Sequence, residues 1–313
     1  MTNSFLVYTS NYTKSGFIFS PFNSDRKGIL FPTTTIDYAL YTTEKLKLKE
    51  AVIPSNIEGK QDHLKLVSKA ITKIEESNLK KVVLSRKLVT QTQKDEFQLF
   101  KELLDTYSNA FKYLWFHPEV GTWLGATPEV LLEIKNKGIV TNSIAGTLPV
   151  VTEKTPNWTT KEIEEQEIVT RYILENLQDK LENIETTKAS SVKAGKLWHL
   201  KSTITGYLKT GLGVETILKT LHPTPAICGF PKEKAINFIY DNEGYDREFY
   251  SGFLGELNIG SKEETNVYVN LRCMKFKDTK ATIFVGGGIT KDSDIEKEWE
   301  ETQHKSKTML NLL

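Results

Sequence analysis

Hydrophobic residues recur along this chain at two periods. Apolar positions three and four residues apart are typical of amphipathic helices, whereas β-branched and aromatic runs are typical of strands. Helices are predicted over 62–77, 97–110, 159–184, 214–221, 232–240 and 294–312. Strands are predicted over 81–90, which is the clearest, and in 5–9, 16–22, 28–32, 113–134, 138–149, 195–206, 249–257, 266–276 and 281–289.

The order of these elements indicates a fold class. Strands arrive in hairpins with helices between them, which is neither a strict βαβ alternation nor an all-β order. Such an order favours an α+β layered architecture. Because no linker-like composition break, repeat or low-complexity tract interrupts residues 1–313, a single compact domain is expected.

Composition narrows the class of protein. Lys and Arg (41) nearly balance Asp and Glu (40), so no global charge indicates binding to nucleic acid or to an acidic membrane. Two cysteines, Cys228 and Cys273, suit a reduced compartment. The first 20 residues lack the basic and apolar regions of a secretory signal, and no apolar run approaches the roughly 20 residues that span a bilayer. A soluble, cytoplasmic protein is expected.

A rigid segment stands at His222-Pro223-Thr224-Pro225, inside LHPTPAICG. Proline fixes φ and lacks an amide donor, so this segment belongs neither to a helix interior nor to a central strand. It ends in Ala226 and, shortly after, Gly229, whose small size permits close approach to a ligand. The plainer interpretation is a stiff surface turn.

The last predicted helix combines an apolar stripe with charged neighbours. The stripe consists of Ile295, Trp299, Thr302, Ser306 and Met309. Glu298, Glu301 and Lys305 lie on one face directly beside it. A solvated acidic flank with a Glu301–Lys305 ion pair is the alternative interpretation.

The predicted helix over 159–184 carries a second candidate carboxylate. Its apolar stripe contains Val169, Tyr172, Ile173, Leu177 and Leu181. One turn earlier the same stripe reaches Glu165, and a buried carboxylate is costly unless it is paired or binds a metal. Glutamates from two helices, without cysteine, suit Mg²⁺ better than Zn²⁺. An acidic first turn that complements the helix dipole is the alternative.

Other residues suit anion binding. A strand runs into Gly286-Gly287-Gly288, whose spacing matches neither a P-loop nor a dinucleotide fingerprint. Bare amides there suit a small carboxylate. Arg272, in an apolar strand, needs an anionic partner, and a carboxylate is the natural one.

Three residues are candidates for proton transfer. Lys81 begins an apolar strand, and loss of hydration would make an inward-pointing amine a usable base. Glu129 lies among apolar neighbours, where a raised pKa would suit a general acid. His199, inside LWHL, is more often a satisfied core residue than a catalytic one. Each residue alone has an ordinary structural explanation, but together they describe a site.

Several segments in this order resemble the chorismate-utilising enzymes, which include isochorismate, salicylate, anthranilate and aminodeoxychorismate synthases. They are KVVLSR, LGATPEVLL, SIAGT, the EEQEIV helix, LWHL, LHPTPAICGFP, YDREFYSGFLGEL, VNLRC, FVGGGI and EWEETQHKSKTML. The resemblance covers about three-quarters of the chain, from Lys81 onward. It implies the aminodeoxychorismate synthase fold, in which two large, orthogonally packed antiparallel sheets are flanked by helices. Residues 1–60 are then a shortened, divergent part of the same domain.

Three positions favour one chemistry within the family. Lysine at position 81 resembles the members that use water, since those that use ammonia typically have glutamine. Ala145 stands where aminodeoxychorismate synthases often carry a lysine. Ala226 resembles isochorismate synthases, where salicylate synthases tend to carry threonine. The resemblance therefore implies isochorismate synthase activity on chorismate, without a glutamine amidotransferase subunit.

The resemblance also implies residue roles. Mg²⁺ is held by Glu165 and Glu301, with Glu298 acting through water. Lys81 is the base that activates water, and Glu129 is the acid that protonates the departing hydroxyl. The expected substrate-binding residues are Gly146, His199, Thr224, Ala226, Arg272, Gly286 and Lys305.

Two alternatives remain open at this point. A salicylate synthase would go on to eliminate pyruvate, and a non-catalytic chorismate-binding subunit would keep the fold without the reaction. The sequence leaves open whether the product serves menaquinone or a siderophore. A monomer is expected, because no coiled-coil pattern or long exposed apolar pattern appears.

Overall fold

The computed structural model describes residues 7–32, 39–42, 59–151, 154–194, 197–260 and 263–313. The helices of these ranges are α1 (Lys60–Glu75), α2 (Glu96–Thr106), α3 (Thr160–Leu177), α4 (Val214–Leu221), α5 (Lys232–Asn242) and α6 (Ile295–Leu310). The strands are β1 (Val7–Thr9), β2 (Gly16–Ser20), β3 (Gly28–Pro32), β4 (Lys81–Gln91), β5 (Phe111–His117), β6 (Gly121–Thr127), β7 (Val130–Lys135), β8 (Gly138–Pro149), β9 (Leu181–Thr186), β10 (Ser190–Ala194), β11 (Leu197–Leu208), β12 (Gly229–Phe230), β13 (Phe253–Ile259), β14 (Glu264–Val269), β15 (Cys273–Lys277) and β16 (Lys280–Ile289).

The strands form two sheets, and every strand pair within them is antiparallel. The larger sheet has the order β1-β3-β2-β13-β14-β7-β8-β11-β10, and β9 also pairs with β11. The smaller sheet has the order β12-β4-β16-β15-β6-β5. The predicted α+β class with two antiparallel sheets flanked by helices is confirmed.

A layer of aromatic side chains packs the two sheets together. Phe19 of β2, in the larger sheet, contacts Trp115 and Trp123 of the smaller sheet, and it stacks on Phe249. Phe284 of β16 stacks in turn on Trp123. Buried aromatic pairs of this kind add stability beyond the area that they bury.

Helices cover the sheets through their apolar stripes. Val169, Ile173 and Leu177 of α3 are fully buried in a core that includes residues of α4 and of the larger sheet. Helix α3 begins with a capping interaction, since the Glu162 carboxylate accepts hydrogen bonds from the amide and hydroxyl of Thr159. This cap fixes the first turn of α3, and the candidate carboxylate Glu165 lies in the next turn.

Helix α3 ends earlier than its apolar stripe predicts. The prediction ran to position 184, because Leu181 follows Leu177 at helical spacing. The structure ends α3 at Leu177 and places Leu181 at the start of β9, opposite Leu208. Leu181 is buried in the same core as the stripe of α3, so the prediction of its burial is correct. The prediction that the helix extends to position 184 is wrong.

The N-terminal strand predictions largely match the described chain. The prediction over 28–32 coincides with β3, and that over 16–22 contains β2. The prediction over 5–9 contains β1, and its first two positions lie outside the described residues. Strand β2 pairs with β13, so these early strands belong to the larger sheet. No helix in the part of the chain described here is long and apolar enough to cross a membrane.

Candidate active site

A cavity of about 240 Å³ is lined by residues of both sheets, α3 and α6. Ten of the predicted site residues line it: Lys81, Glu129, Gly146, Glu165, His199, Ala226, Arg272, Gly286, Glu301 and Lys305. Glu298 and Thr224 lie outside this lining. The structure thus brings together side chains that are widely separated in the sequence.

Thr224 lies within the proline segment rather than facing the cavity. Its carbonyl accepts hydrogen bonds from the amides of Ile227 and Cys228, both at 3.0 Å, whereas its buried hydroxyl has no hydrogen-bond partner. The resulting turn presents Ala226 and Ile227 to the cavity. Neither helix nor strand occupies the segment between α4 and β12, as the prolines predict.

Lys81 and Glu165 form a buried pair on neighbouring elements. The Lys81 side chain is 2% exposed at the start of β4, and its Nζ lies 3.8 Å from Oε1 of Glu165 on α3. Strand β16 pairs with β4 and places Gly288 against both side chains. A Cβ at position 288 would lie 2.2 Å from Glu165 Oε1 and 2.8 Å from Lys81 Cε. Glycine is therefore required there for both side chains to keep their positions.

The two candidate metal ligands on α6, Glu298 and Glu301, each contact a different lysine. Glu298 Oε1 lies 2.7 Å from Lys161 Nζ, and Glu301 Oε1 lies 2.7 Å from Lys305 Nζ. The Glu298 side chain is only 2% exposed, so the solvated flank of the alternative interpretation is wrong for this residue. The Glu301–Lys305 ion pair of that interpretation is present. Both carboxylates also face Gly287, where a Cβ would lie 3.2 Å from Glu298 Oε2 and 3.3 Å from Glu301 Oε1.

Burial and neighbouring charges set the protonation of this cluster. Burial, reinforced by the Glu301 carboxylate, raises the pKa of Glu298 to about 7. Burial also acts to raise the pKa of Glu301, but the ammonium groups of Lys305 and Lys161 outweigh it and hold that pKa below its usual value. Burial acts to lower the pKa of Lys161, and the carboxylates of Glu165, Glu298 and Glu301 overcome it and raise that pKa. At neutral pH Glu301 is therefore ionised, whereas Glu298 is only partly ionised.

The donor chemistry of this cluster fits a hard divalent cation. Glu165 Oε1 and Glu298 Oε2 are buried and accept no hydrogen bond. Buried carboxylate oxygens without hydrogen bonds are costly, and a divalent cation with oxygen ligands would satisfy them. Over the described ranges, no set of three or more His, Cys, Asp or Glu side chains is arranged closely enough to hold a metal. Lysine side chains lie against the three carboxylates instead.

Glu129 follows β6 and has the environment of a general acid. Burial raises its pKa to about 7, against the opposing effects of Lys81, Lys305 and Arg272. Its backbone is fixed, because its carbonyl accepts a hydrogen bond of 2.9 Å from the Val269 amide. A carboxyl group with this pKa is partly protonated at neutral pH and can donate a proton.

His199 and Arg272 are held together beside the cavity. His199 Nδ1 lies 3.0 Å from the Gly146 carbonyl, and its Nε2 lies 3.3 Å from a guanidinium nitrogen of Arg272. Since a carbonyl only accepts, Nδ1 carries the proton and Nε2 is left to accept from Arg272. Burial, followed by Arg272 and Lys305, lowers the His199 pKa to about 3. His199 is therefore neutral and orients the arginine.

The sequence prediction missed several residues of the cavity wall. Tyr250, Asn109, Lys193 and Lys201 all line it. Tyr250 lies inside the quoted YDREFYSGFLGEL segment, so the motif contained it without distinguishing it from its neighbours. The other three lie outside the quoted segments, and only the folded chain brings them to the wall.

A comparison with protein-family models decides the family. The model described as "Chorismate binding enzyme" matches residues 33–313 of this chain, which is most of its length. The chain belongs to the chorismate-binding enzyme family. The family resemblance of the sequence segments is thereby confirmed.

Two curated relatives of this chain are named isochorismate synthases. Isochorismate synthase DhbC of Bacillus subtilis is 28% identical over 273 residues, which cover 81% of this chain and 68% of the relative. Isochorismate synthase EntC of Escherichia coli K12 is 29% identical over 260 residues, which cover 79% and 66%. The chain spans about two-thirds of the length of these relatives.

Solved structures agree with this chorismate-binding fold. A putative 2,3-dihydroxybenzoate-specific isochorismate synthase from Bacillus anthracis matches with a TM-score of 0.82 and 25% identity, over 95% of this chain and 83% of its own. Anthranilate synthase component I from Streptococcus pneumoniae matches with a TM-score of 0.71 and 25% identity, over 80% and 57%.

Proposed function

We propose that this protein is an isochorismate synthase that requires Mg²⁺ and interconverts chorismate and isochorismate. One observation carries the proposal: a buried lysine, Lys81, and a carboxyl group with a raised pKa, Glu129, line the same cavity. An acid and a base in one cavity suit addition of water coupled to loss of a hydroxyl. The isochorismate synthases named above support this choice among family activities.

The chemistry of the step balances without an added reagent. Lys81 accepts a proton from water, and the water oxygen bonds to the ring carbon next to the one that bears the carboxylate. The ring double bonds shift, and the bond between the ring and the 4-hydroxyl breaks. Glu129 donates its proton to the departing hydroxyl, which leaves as water. Reprotonation of Glu129 and deprotonation of Lys81 then restore the enzyme.

The remaining residues bind and orient the substrate. Arg272 and Lys305 supply positive charge for the enolpyruvyl carboxylate, with the backbone at Gly286 beside them. His199 orients Arg272, and Gly146 and Ala226 shape the wall. Glu165, Glu298 and Glu301 would hold Mg²⁺, which when bound neutralises the ring carboxylate and so reduces its opposition to charge on the ring.

We extend the proposal to the setting of the reaction. Lysine at position 81, rather than glutamine, favours water as nucleophile and therefore activity without an amidotransferase subunit. The protein is proposed to act as a monomer in the cytoplasm. Its product would serve menaquinone or siderophore synthesis, and the chemistry is the same in both cases.

A product assay tests this proposal. Purified protein is incubated with chorismate and Mg²⁺, with and without a chelator, and products are separated by chromatography and identified by NMR. Metal-dependent isochorismate in equilibrium with chorismate, without ammonia, is expected. Salicylate with pyruvate would assign the bifunctional activity instead. No conversion by folded protein would indicate a binding role.

Glu129→Gln provides the matched variant for this assay. The amide keeps the shape of the side chain but has no acidic proton, so kcat should fall by about 10²- to 10⁴-fold. Chorismate affinity, measured by calorimetry, should change little. Glu300→Gln, an exposed position on α6, is the control and should retain wild-type kcat. An unchanged rate in Glu129→Gln would remove Glu129 from the acid role.

A further inference from the structure

Glu165, Glu298 and Glu301 form a three-glutamate cluster, and each contacts one lysine. Lys161 differs from the other two lysines. Lys81 and Lys305 line the cavity and each has a role toward water or substrate, whereas Lys161 is absent from the cavity wall. Its ammonium contacts Glu298, one of the three glutamates, at 2.7 Å. These contacts indicate that Lys161 acts on the carboxylate cluster rather than on the substrate.

The position of Lys161 is unfavourable for a lysine considered alone. It lies in the first turn of α3, where the helix dipole favours negative charge over positive charge. Its side chain is 17% exposed, and its partner Glu298 is 2% exposed. A long cationic side chain held at a helix N-terminus needs a compensating interaction, and the buried carboxylate of Glu298 supplies it.

Two buried carboxylate oxygens of this cluster have no hydrogen-bond partner. Glu298 directs Oε1 to Lys161 and leaves its buried Oε2, like Glu165 Oε1, without a hydrogen-bond partner. These oxygens face the bare backbone of Gly287 and Gly288. A divalent ion bound there would share the Glu298 carboxylate with the Lys161 ammonium. Because both are positively charged, they would repel each other.

We propose that Lys161 is a tethered counter-cation of the three-glutamate cluster, and that a divalent metal ion displaces it toward solvent when it binds. This inference rests on the proposed metal site. In the metal-free protein the lysine stabilises Glu298 and keeps α3 and α6 together. When the metal binds, the partly exposed side chain of Lys161 leaves the carboxylate, so metal affinity reflects a competition.

Calorimetric titration with MgCl₂ tests the competition without using activity. Coupling between competing ligands typically amounts to at least about fivefold in affinity, so the Kd for Mg²⁺ should be at least about fivefold lower in Lys161→Gln than in wild type. The metal-free variant should melt at a lower temperature than wild type, and saturating Mg²⁺ should close that gap. Lys161→Arg keeps the charge and should restore the metal-free melting temperature.

Lys297→Gln is the matched control, since it removes an exposed lysine of α6 adjacent in sequence to Glu298. Its Kd for Mg²⁺ should match that of wild type within about twofold, because exposed charges are screened. Equal or weaker Mg²⁺ binding in Lys161→Gln would overturn the proposal. If all variants and the wild type fail to bind Mg²⁺, the inference fails, while the product assay still decides the proposed reaction separately.

A second measurement on the wild-type protein covers the case in which Lys161→Gln does not fold. Reductive methylation followed by mass spectrometry reports how accessible each lysine amine is. Lys161 should be methylated faster with Mg²⁺ than without it, and Lys297 should be methylated at the same rate in both conditions. An unchanged or slower rate at Lys161 would show that the metal does not displace it.

Discussion

Charged side chains of the site keep their positions because glycines of β16 lie beside them. Gly288 allows Glu165 and Lys81 to lie against β16, and no other residue type leaves that space. The sequence predicted a strand over 281–289 whose glycine amides suit an anion, and the structure places Gly287 and Gly288 of β16 beside carboxylates. The difference arises because strand pairing with β4, not local spacing, decides what a glycine faces.

Gly288→Ala is predicted to inactivate the protein without unfolding it. The new Cβ would displace the Glu165 carboxylate and the Lys81 amine, and a misplacement of about 1 Å in a catalytic group can cost about 100-fold in rate. The measurement is kcat, with the melting temperature as a check on folding.

Gly213→Ala is the control for this substitution. Gly213 has a φ of −134°, and no heavy atom lies within 4 Å of the position that an alanine Cβ would take, so alanine fits there. Its kcat should equal that of wild type. Wild-type activity in Gly288→Ala would contradict the proposed arrangement of Lys81 and Glu165.

Burial of single charged residues was the least predictable part of the site. The sequence placed Glu298 beside the apolar stripe of α6, where an exposed flank was a reasonable alternative. The structure buries it, and Lys161 of α3 contacts its carboxylate. A contact between α3 and α6 cannot be inferred from the periodicity of either helix.

At the scale of elements, periodicity predicted most helices and strands to within a few residues. Helix α6 and strand β4 follow their apolar patterns closely. The predicted end of α3 was wrong because Leu181, four residues after Leu177, fits the apolar stripe of a helix. The same residue also fits the first inward position of β9. Periodicity alone does not distinguish these two uses of a buried leucine.

The stripe of α3 predicts a contrast between two isoleucines. Ile173 is fully buried in the core, whereas Ile163 is 42% exposed on the same helix. Ile173→Ala should lower the free energy of unfolding by about 2–5 kcal/mol, because it leaves a cavity. Ile163→Ala should change it by less than about 0.5 kcal/mol.

Urea unfolding of the two variants measures this contrast. The identical chemical change controls for helix propensity, so the difference reports packing alone. Similar losses at both positions would contradict the packing of α3 against the larger sheet.

At the scale of the whole molecule, buried histidine affects stability in acid. His63 of α1 packs against Trp299 of α6, and neither of its ring nitrogens has a hydrogen-bond partner. Burial, followed by the charge of Arg86, lowers its pKa from 6.5 to about 4. The unfolded chain therefore binds a proton that the folded one does not, and stability is lost as pH falls from 6.5 toward 4.

His63→Leu should reduce this acid sensitivity. Between pH 6.5 and 5 the variant should lose about 1.5 kcal/mol less unfolding free energy than wild type, since one proton contributes at most about 1.4 kcal/mol per pH unit. Urea unfolding at the two pH values measures the difference. His304→Leu, at an exposed position of α6, should behave as wild type. Equal pH dependence in all three proteins would show that His63 does not contribute.

The charged groups of the site come from elements spread along the chain: Lys81 from β4, Glu165 from α3, and Glu301 and Lys305 from α6. Pairing of β4 with β16 joins residues far apart in sequence, and such long-range contacts form slowly. During synthesis on the ribosome, which proceeds from the N-terminus, a nascent chain cannot assemble the site before α6 has emerged. Incomplete chains therefore lack the assembled site, and activity would indicate that the chain has folded completely.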